Sequence, residues 1–399
     1  MSACQRPGAF EMGLVCKRCI LPAGYKSITF DRQGVCNYCN YYDRVRRSAG
    51  VLTAQRGCLD LKLRTIPPSS QYHCLVGLSG GRDSTYVLYR LRNEYGLNVL
   101  AVTFDNGFLT DYARDNIERV VEKLGVDHFY VDGNWDVLKG AYRRVMVRFA
   151  YPCMVCSFAM LGQLLKVGIE YHIPLAVHGV TRAQMFKEFH PASRDPRLPF
   201  LELNRRPYSA ENSRYAWKQA CGQMEYLIRY GLGSSKWRSR FMAFFFGPRQ
   251  GLDQAPIVPE FYGLFLWEPR DEAEMIRTLS RETGWRRPGG DNPMAHYDCR
   301  IYPAAEYLSM AVSGYSLTCP ELSFLVREGL LSRDKALSLL PEKGEVFMSA
   351  QESLYLLCSR LNIDRKSLSR ILLKARIRQK LARLILRTGR HRRSKAFKD

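Results

Sequence analysis

The 399-residue sequence lacks any apolar run near the roughly 20 residues that a membrane-spanning helix requires. Its longest aromatic-rich run, Phe241 to Phe246, is short and lies between Arg240 and Arg249. Residues 1–30 carry charged residues and cysteines where a secretory signal peptide needs an apolar segment. We therefore expect a cytoplasmic protein with no transmembrane segment.

Acidic residues are also scarce, because 38 Asp and Glu face 60 Lys and Arg and leave a net charge of +22. Residues 365–399 hold 14 of these basic residues and one acid. Residues 366–388 are predicted to form a helix with a basic face and an apolar stripe of Leu368, Ile371, Leu372, Ala375, Leu381, Leu384 and Ile385. That helix would dock on an anionic membrane surface, bind RNA phosphates, or pack on its own domain. The same alternatives of membrane surface, RNA and self-packing apply to residues 226–249, which are rich in Arg and aromatic residues. This segment could also contact an ammonia-donating partner.

Cysteine is abundant, with 13 residues, which in a cytoplasmic protein indicates metal binding or catalysis more than disulfides. Two CxxC pairs, Cys16/Cys19 and Cys36/Cys39, are separated by 16 residues, the spacing of a zinc ribbon. Each pair would aim two thiolates at one point, and two pairs complete a tetrahedral zinc site. Such a site is structural, and the alternative is a set of unliganded buried thiols.

A strand, a glycine turn and a helix follow one another at residues 74–91. The turn is Ser79-Gly80-Gly81-Arg82-Asp83-Ser84, with Asp83 or Ser84 suited to cap the helix. Glycines let the backbone approach an anion closely, and a helix N-terminus presents free N–H groups to phosphate. Asp83 would repel bare phosphate, so we expect it to act on Mg²⁺ or on loop geometry. The alternative is a Ser/Gly turn that caps an ordinary helix.

Later segments continue a pattern of alternating strands and helices, which predicts a parallel sheet. Strands are expected at 99–103, 128–131 and 175–178, and helices at 112–124, 158–167, 271–283 and 351–362. Ligands bind such sheets at the carboxyl ends of strands. We call the turn at residues 79–84 the phosphate loop. A cluster of Asp105, Asn106, His178, Gly179 and Thr181 is therefore expected beside it. Asp105 is either an ATP or Mg²⁺ contact or a solvated turn residue, and His178 is more simply a packed structural histidine.

The loop is neither a Walker A motif nor GxGxxG, and it resembles the SGGxDS signature of the PP-loop ATP pyrophosphatases. This resemblance implies an α/β fold in which a parallel-sheet PP-loop (adenine nucleotide alpha-hydrolase-like) domain carries an N-terminal zinc ribbon and a helical C-terminal region. It also implies ATP-binding residues, namely Ser79, Gly80, Gly81, Asp83, Ser84, Asp105 and Gly179, of which Asp83 and Ser84 would be catalytic.

The order of motifs is more specific. A Cys4 ribbon with GVCNYC precedes SGGRDST, VTFDNG, PCMVC and a strand ending in HG, and HYDCR at 296–300 follows. This order is similar to the N-acetyl sugar amidotransferase family of surface-polysaccharide biosynthesis. The resemblance implies that ATP and Mg²⁺ activate the acetamido oxygen of a nucleotide sugar with release of pyrophosphate. Ammonia, from a partner glutaminase or free in solution, then replaces that oxygen.

A further pair, Cys153 and Cys156, precedes a helix and leaves a rival hypothesis open. In the tRNA-thiolating branch of the PP-loop superfamily, cysteines in this region hold an iron–sulfur cluster or carry sulfur. Cys299 is our first choice of third ligand and Cys221 the second. The alternative is two packed thiols. The remaining hypothesis is a non-catalytic protein that binds nucleotide and a partner. The intact SGGRDS motif argues against this hypothesis.

These features predict five regions along the chain. They are a Cys4 ribbon at 1–45, a PP-loop core at 46–190, an aromatic and Arg-rich region for substrate or partner at 191–295, a helical region at 296–388 and a basic tail at 389–399.

Overall fold

The computed structural model describes residues 14–46, 60–66, 71–184, 257–267, 271–287 and 296–395, except residues 27, 62, 182 and 258. Five strands form one sheet: β1 Cys74–Gly77, β2 Val99–Asp105, β3 Asp127–Asp132, β4 Leu175–His178 and β5 Glu260–Gly263. Their order is β3-β2-β1-β4-β5 and every neighbouring pair is parallel. The prediction of a parallel α/β sheet is therefore confirmed.

The described residues also form helices, which are numbered in chain order. They are α1 Asn37–Arg46, α2 Arg82–Tyr89, α3 Asp111–Leu124, α4 Trp135–Phe149, α5 Cys153–Glu170, α6 Leu264–Trp267, α7 Glu272–Glu282, α8 Tyr302–Ser313, α9 Cys319–Glu328, α10 Arg333–Ser338, α11 Lys343–Arg360 and α12 Arg365–Lys395. A π-helical turn, Arg90–Glu94, extends α2.

The central strands are buried on both faces, as a sheet with helices on both sides requires. Leu75 of β1 lies opposite Leu100 of β2, and both side chains are buried. On one face of the sheet, Val87 of α2 and Ile117 of α3 belong to a core that also includes residues of β1 and β2. On the other face, Leu164 of α5 packs in a second core. Each fully buried aliphatic side chain of this kind contributes about 1.5–3 kcal/mol to folding.

Strand β5 shows that the sheet extends beyond the predicted core at 46–190. It pairs with β4 through Ala176 and Phe261, and it comes from the interval 191–295. Residues 185–256, which include Cys221 and the Arg and aromatic segment at 226–249, lie outside the described part of the chain.

Helix α5 corrects the expectation that no run comes near membrane-spanning length, because among the described helices it alone is long and apolar enough, with 18 residues and a mean hydropathy of 1.4. It lies against β1, β2 and β4 and supplies Leu164 and Val167 to the core on that face of the sheet. Its apolar character therefore follows from its place in the α/β core.

The N-terminal residues pack on the C-terminal helices. Ile20 and Leu21 share an apolar cluster with Leu322 of α9, and the rings of Tyr25 and Tyr315 are 5.2 Å apart. Helix α12 lies against α4 and α8 and buries Ile371 and Ala375. This part of the predicted apolar stripe therefore packs on the protein itself.

Candidate active site at the phosphate loop

The phosphate loop lies where the strand order of the sheet reverses. Strand β1 has β2 on one side and β4 on the other, and the connections from these strands leave in opposite directions. Ligands of open parallel sheets bind in the crevice at such a point, beyond the carboxyl ends of the strands. Residues 78–81 follow β1 at this end and lead directly into α2.

Gly80 is required by the loop for two reasons. Its φ of +75° falls in the left-handed region, and a Cβ atom there would lie 2.3 Å from the carbonyl oxygen of Ala113 in α3. The indole N–H of Trp285 also donates to the Gly80 carbonyl at 3.0 Å. The loop is therefore held between α3 and the segment after α7, and a side chain at position 80 would displace it.

The two loop serines support each other. The backbone N–H of Ser79 donates to the Ser84 hydroxyl at 3.2 Å, and the Ser84 hydroxyl donates to the Gly81 carbonyl at 3.3 Å. Gly81 occupies the N-cap of α2, so the expectation that Asp83 or Ser84 caps this helix is wrong. Asp83 lies instead in the first helical turn, where the helix dipole favours a carboxylate.

Asp83 is paired with Arg82, which bridges it to a second carboxylate. Arg82 Nε donates to Asp83 Oδ1 at 3.0 Å, and the same guanidinium also binds Glu272 of α7. Burial raises the pKa of the Asp83 carboxyl, and the charge of Arg82 opposes this rise. The carboxylate is thus fixed in orientation at the start of the helix, which suits a group that binds Mg²⁺ rather than phosphate.

Gly179 and His178, at the end of β4, contact the same helix start. A Cβ atom on Gly179 would lie 2.8 Å from the Asp83 carbonyl oxygen and 3.1 Å from the Ser84 nitrogen. His178 Nδ1 accepts the N–H of Val180 at 3.2 Å, and burial lowers the pKa of its ring to about 4. His178 is therefore a neutral, hydrogen-bonded histidine, as its structural interpretation predicts.

Asp105 and Asn106 shape the turn after β2. Asp105 pairs with Arg114 at 2.7 Å and accepts the N–H of Gly107 at 2.9 Å. Asn106 accepts the N–H of Phe108 and its amide donates to Cys156 Sγ at 3.5 Å. Asn106 also lines a cavity beside the loop. The Asp105 carboxylate instead orders the turn, and the predicted contact of Asp105 with ATP stays a prediction.

This cavity has a volume of about 280 Å³. Ser79, Asn106, Tyr151, Cys153, Cys156, Gln163, His296, Asp298, Cys299, Tyr302 and Glu321 are among the residues that line it. Asp298 Oδ2 lies 3.8 Å from where a Cβ atom on Gly81 would be, so a second carboxylate faces the phosphate loop. His296 Nδ1 lies 3.9 Å from Asp298 Oδ1.

The cavity brings together the three cysteines that the sequence grouped. Cys156 is hydrogen-bonded to the Tyr142 hydroxyl at 2.7 Å, and burial raises the pKa of its thiol. Burial likewise raises the pKa of Cys299 well above its usual range. Both residues are therefore thiols at neutral pH. Unlike the N-terminal cysteines, these three do not bring their sulfur atoms within 4.8 Å of one another.

The N-terminal cysteines form a closed site. Cys16, Cys19, Cys36 and Cys39 are fully buried, and their sulfur atoms all lie within 4.8 Å of one another. The distance between the sulfur atoms of Cys16 and Cys39 is 3.9 Å, and that between those of Cys19 and Cys36 is 3.7 Å. The N–H of Cys36 donates to Cys16 Sγ at 3.2 Å, an arrangement that stabilises a thiolate. The arrangement is zinc-ribbon-like and fits a bound metal.

Sequence reasoning missed Asp298, His296 and Trp285 as residues of this site. Asp298 and His296 lie in the motif HYDCR, which the sequence analysis quoted. Because both lie within three residues of Cys299, the predicted third cysteine ligand, the sequence could have placed them at the site. Trp285 offered none, because a tryptophan beyond a helix shows no sign of contact with Gly80, 205 residues earlier.

Comparison with known proteins gives one family match. The family described as "Queuosine biosynthesis protein QueC" matches residues 73–142, which hold β1, the phosphate loop, α2, β2, α3, β3 and the first part of α4. An uncharacterized protein of Methanocaldococcus jannaschii, MJ1599, is 30% identical over 107 residues. That alignment covers 26% of this chain and 38% of MJ1599, so the chain spans about two fifths of that relative's length.

Three solved structures are similar at low identity. The U34-tRNA thiolase NcsA of Methanococcus maripaludis, with its [4Fe-4S] cluster, is 17% identical, with 86% of this chain and 88% of that chain covered and a TM-score of 0.33. The NH3-dependent NAD synthetase of Campylobacter jejuni is 12% identical, with 52% and 98% covered and a TM-score of 0.25. The NMN synthetase of Francisella tularensis is 14% identical, with 38% and 58% covered and a TM-score of 0.21.

The family match, the SGGRDS loop and the parallel sheet agree. Each concerns the same residues, because the matched interval begins one residue before β1 and contains the whole loop. The chain therefore carries an α/β domain of the PP-loop ATP pyrophosphatase type together with a zinc-ribbon-like Cys4 region.

Proposed function

We propose that this protein uses ATP to adenylate an oxygen atom of an acceptor held in the cavity beside the phosphate loop. The observation that carries the proposal is the position of Ser79, which belongs to the phosphate loop and also lines the cavity. A bound ATP would thus have its phosphates at the start of α2 and its α-phosphorus near the acceptor. Adjacent sites of this kind convert a two-substrate reaction into one between oriented neighbours.

The chemistry follows from the poor leaving ability of an amide oxygen. Attack of that oxygen on the α-phosphorus of ATP forms an adenylated imidate and releases pyrophosphate. A nucleophile then adds to the imidate carbon and AMP leaves with the oxygen. The N–H of Gly80 and the hydroxyl of Ser79 are suited to hold the phosphates, and the Gly81 N–H and the Ser84 hydroxyl would do so by exchanging their hydrogen bonds within the loop for phosphate. Mg²⁺, for which the carboxylates of Asp83 and Asp298 are suited, would neutralise charge on the phosphates.

We infer that the acceptor is an N-acetyl sugar nucleotide and that the nucleophile is ammonia. The order of motifs along the chain supports this assignment. The proposal includes an external ammonia source, either a partner glutaminase or free ammonia, because the sequence does not identify a nucleophilic cysteine with a histidine and an acid, the set that a glutaminase needs.

Sulfur insertion is a second candidate, and one observation favours it. Cys153, Cys156 and Cys299 come from two distant parts of the chain and line the same cavity as Ser79. Three thiols beside an adenylating site could hold an iron–sulfur cluster or carry sulfur to the activated carbon. The acceptor would then be tRNA or a small molecule. The intact loop, by contrast, disfavours a purely non-catalytic protein that only binds nucleotide.

We propose Zn²⁺ as the ion of the Cys4 site. Four sulfurs at about 2.3 Å from one zinc ion define a tetrahedron with edges of about 3.8 Å. The sulfur–sulfur separations of 3.9 and 3.7 Å agree with such edges. An iron–sulfur cluster would need wider spacing, because its cysteines bind separate iron atoms around a core of sulfide.

The free cysteines also support a reducing compartment such as the cytoplasm. None of the ten cysteines in the described part of the chain forms a disulfide. We retain the proposal that the basic outer face of α12 binds either anionic lipid or RNA. No contact among the described residues favours one of these two partners over the other.

Two measurements on the purified protein test these proposals. The first is ATP–pyrophosphate exchange with a panel of nucleotide-linked acetamido sugars and of tRNA, and acceptor-dependent exchange is expected. Exchange with none of them would contradict the adenylation proposal. The second is metal and sulfide content with a visible spectrum, on protein purified without oxygen. One zinc per chain and no visible absorbance supports ammonia transfer, whereas iron, sulfide and a brown chromophore support sulfur insertion.

A further inference from the structure

The cavity beside the phosphate loop is negatively charged, although the chain as a whole is strongly basic. Lys and Arg outnumber Asp and Glu by 60 to 38 in the sequence, yet none of the described residues that line the cavity is Lys or Arg. Two carboxylates line it instead, those of Asp298 and Glu321. His296 is the one described lining residue that can take up a positive charge, and its Nδ1 lies 3.9 Å from Asp298 Oδ1. Any charge on His296 is therefore offset by Asp298.

Glu321 is a buried member of the cavity wall. It lies in the first turn of α9 and is 5% exposed, so water and salt screen its charge poorly. The backbone just before α9 is anchored by a second buried acid, because both carboxylate oxygens of Glu306 accept the N–H of Leu317, at 3.2 and 3.1 Å. Leu317 lines the cavity as well. The start of α9, with Glu321, is thus held at the edge of the cavity.

The rest of the cavity wall consists of apolar side chains, thiols, and uncharged amides and hydroxyls. The amides and hydroxyls include those of Asn106, Tyr151, Ser157, Gln163 and Tyr302. Burial, together with the charges of Glu306 and Glu321, raises the pKa of the Tyr302 hydroxyl well above its usual range, so this group is neutral. Such groups bind neutral polar ligands by hydrogen bonds but do not offset a further negative charge. The volume of about 280 Å³ is just below the roughly 300–1,000 Å³ of pockets for drug-sized ligands, so it suits the reacting group of a larger acceptor.

We propose that Glu321 is the residue that selects the acceptor. Its carboxylate accepts a hydrogen bond from the N–H of the amide whose oxygen is activated, and it repels acceptors that enter as carboxylates. The proposal rests on the adenylation function proposed above, and it holds whether the nucleophile is ammonia or sulfur. A carboxylate acceptor would bring a third negative charge next to Asp298 and Glu321, which the described lining residues do not compensate.

The change of charge during adenylation gives the same preference. As the amide oxygen forms its bond to the α-phosphorus, the bond from that phosphorus to pyrophosphate breaks, and pyrophosphate leaves with the electron pair. The amide nitrogen keeps its proton and becomes more positive, so a buried carboxylate that accepts this N–H stabilises the charge as it develops. A carboxylate acceptor starts negative and becomes neutral, so Glu321 would oppose its binding and would not stabilise its adduct.

The two carboxylates of the cavity have different neighbours. Asp298 Oδ2 lies 3.8 Å from where a Cβ atom on Gly81 would be, so it faces the phosphate loop, where it is suited to Mg²⁺ in the proposed reaction. Glu321 belongs to α9, which enters the cavity wall from the C-terminal helices. Glu321 is therefore the carboxylate that is left to bind the acceptor.

The test measures ATP–pyrophosphate exchange with two classes of acceptor. The first class has amide-type oxygens and consists of nucleotide-linked acetamido sugars and tRNA, whose bases carry lactam groups. The second consists of nucleotide-linked uronic acids without an acetamido group. The wild type is expected to prefer the first class by at least about 100-fold in kcat/KM, because a like charge beside a buried carboxylate is strongly unfavourable.

Two variants of Glu321 test the residue itself. Glu321→Gln loses a charge-assisted hydrogen bond, so its KM for the amide acceptor is expected to rise about tenfold or more, with the KM for ATP unchanged. Glu321→Asp keeps the charge and should still reject the uronic acids. Glu328→Gln is the matched control, because Glu328 lies on the same helix but is not among the described residues that line the cavity. It should keep the wild-type KM for the acceptor.

The outcomes separate this proposal from the adenylation function on which it rests. Exchange by the wild type with no acceptor of either class would contradict adenylation, and the role of Glu321 with it. Equal exchange with uronic acids and amide acceptors, or an unchanged acceptor KM in E321Q, would overturn the role of Glu321 alone. If E321Q does not fold, the preference of the wild type and of E321D between the two classes decides.

Discussion

Gly179 approaches Asp83 so closely that a Cβ atom at position 179 would lie 2.8 Å from both the carbonyl carbon and the carbonyl oxygen of Asp83. This contact joins the end of β4 to the first turn of α2. The end of β4 therefore approaches the start of α2 backbone to backbone, and position 179 has no room for a side chain.

The first prediction is that Gly179→Ala displaces the start of α2 and impairs pyrophosphate release. Backbone atoms cannot move aside as a flexible side chain can, and misplacement of reacting groups by about 1 Å costs about 100-fold in rate. Steady-state release of pyrophosphate, with the thermal unfolding midpoint recorded in parallel, measures the effect. Gly344→Ala is the control, because a Cβ atom there meets nothing within 4 Å. Full activity in G179A would show that the loop tolerates the shift.

The second prediction is that Asp83→Ala and Ser84→Ala each abolish pyrophosphate release and leave the fold intact. Both side chains are partly exposed at the helix start, so their loss removes few packing contacts. Circular dichroism and the unfolding midpoint check the fold. Ser367→Ala, in the first turn of α12 and distant in sequence from the loop, is a matched control for the serine. Wild-type release by D83A or S84A would contradict the assignment of these residues to the site.

The third prediction separates the two candidate reactions. If ammonia is the nucleophile, Cys153→Ser, Cys156→Ser and Cys299→Ser retain acceptor-dependent pyrophosphate release within a fewfold of the wild type, because packed thiols contribute only positioning. If sulfur is inserted, each substitution abolishes product formation and any visible absorbance. Cys358→Ser is the control, since this partly buried thiol is not among the residues that line the cavity.

The fourth prediction concerns the buried histidines of the sheet, His128 and His178. Burial lowers the pKa of both rings to about 4, whereas an unfolded chain binds the proton near pH 6.5. Well above pH 6.5 neither state is protonated, and the rings then have no pH-dependent effect on stability. As the pH falls from 6.5 toward 4, the unfolded state gains protons that the folded state refuses, so the free energy of unfolding decreases, by about 1–2 kcal/mol per histidine at pH 5.

Urea unfolding at pH 7 and pH 5 measures this decrease in the wild type and in His178→Asn. An asparagine oxygen can accept the Val180 N–H in place of His178 Nδ1, so H178N should lose less stability between the two pH values. Carboxylates also titrate in acid, and the comparison with the variant cancels their contribution. An equal loss in both proteins would exclude His178 as a source of the pH dependence.

The Cys4 geometry and the phosphate loop were predictable from sequence for a local reason. A CxxC turn brings two thiols together within four residues, and Gly80 and Gly81 define a turn between a buried strand and an amphipathic helix. The sequence likewise predicted β1 to β4, because their apolar runs are short and bounded by turns. It did not predict β5, whose four residues carry no comparable pattern and pair with β4 only because the sheet is already present.

What the sequence by itself determined is therefore the chemistry contained within short segments: the cysteine pairs, the SGGRDS loop and the alternation of strands and helices. Only the tertiary structure decided which distant side chains share a space, such as Asp298 beside Gly81 and Cys299 in the cavity with Cys153. The physical reason is that turns and hydrogen-bonded elements depend on neighbours along the chain, whereas these contacts depend on how complete helices and strands pack.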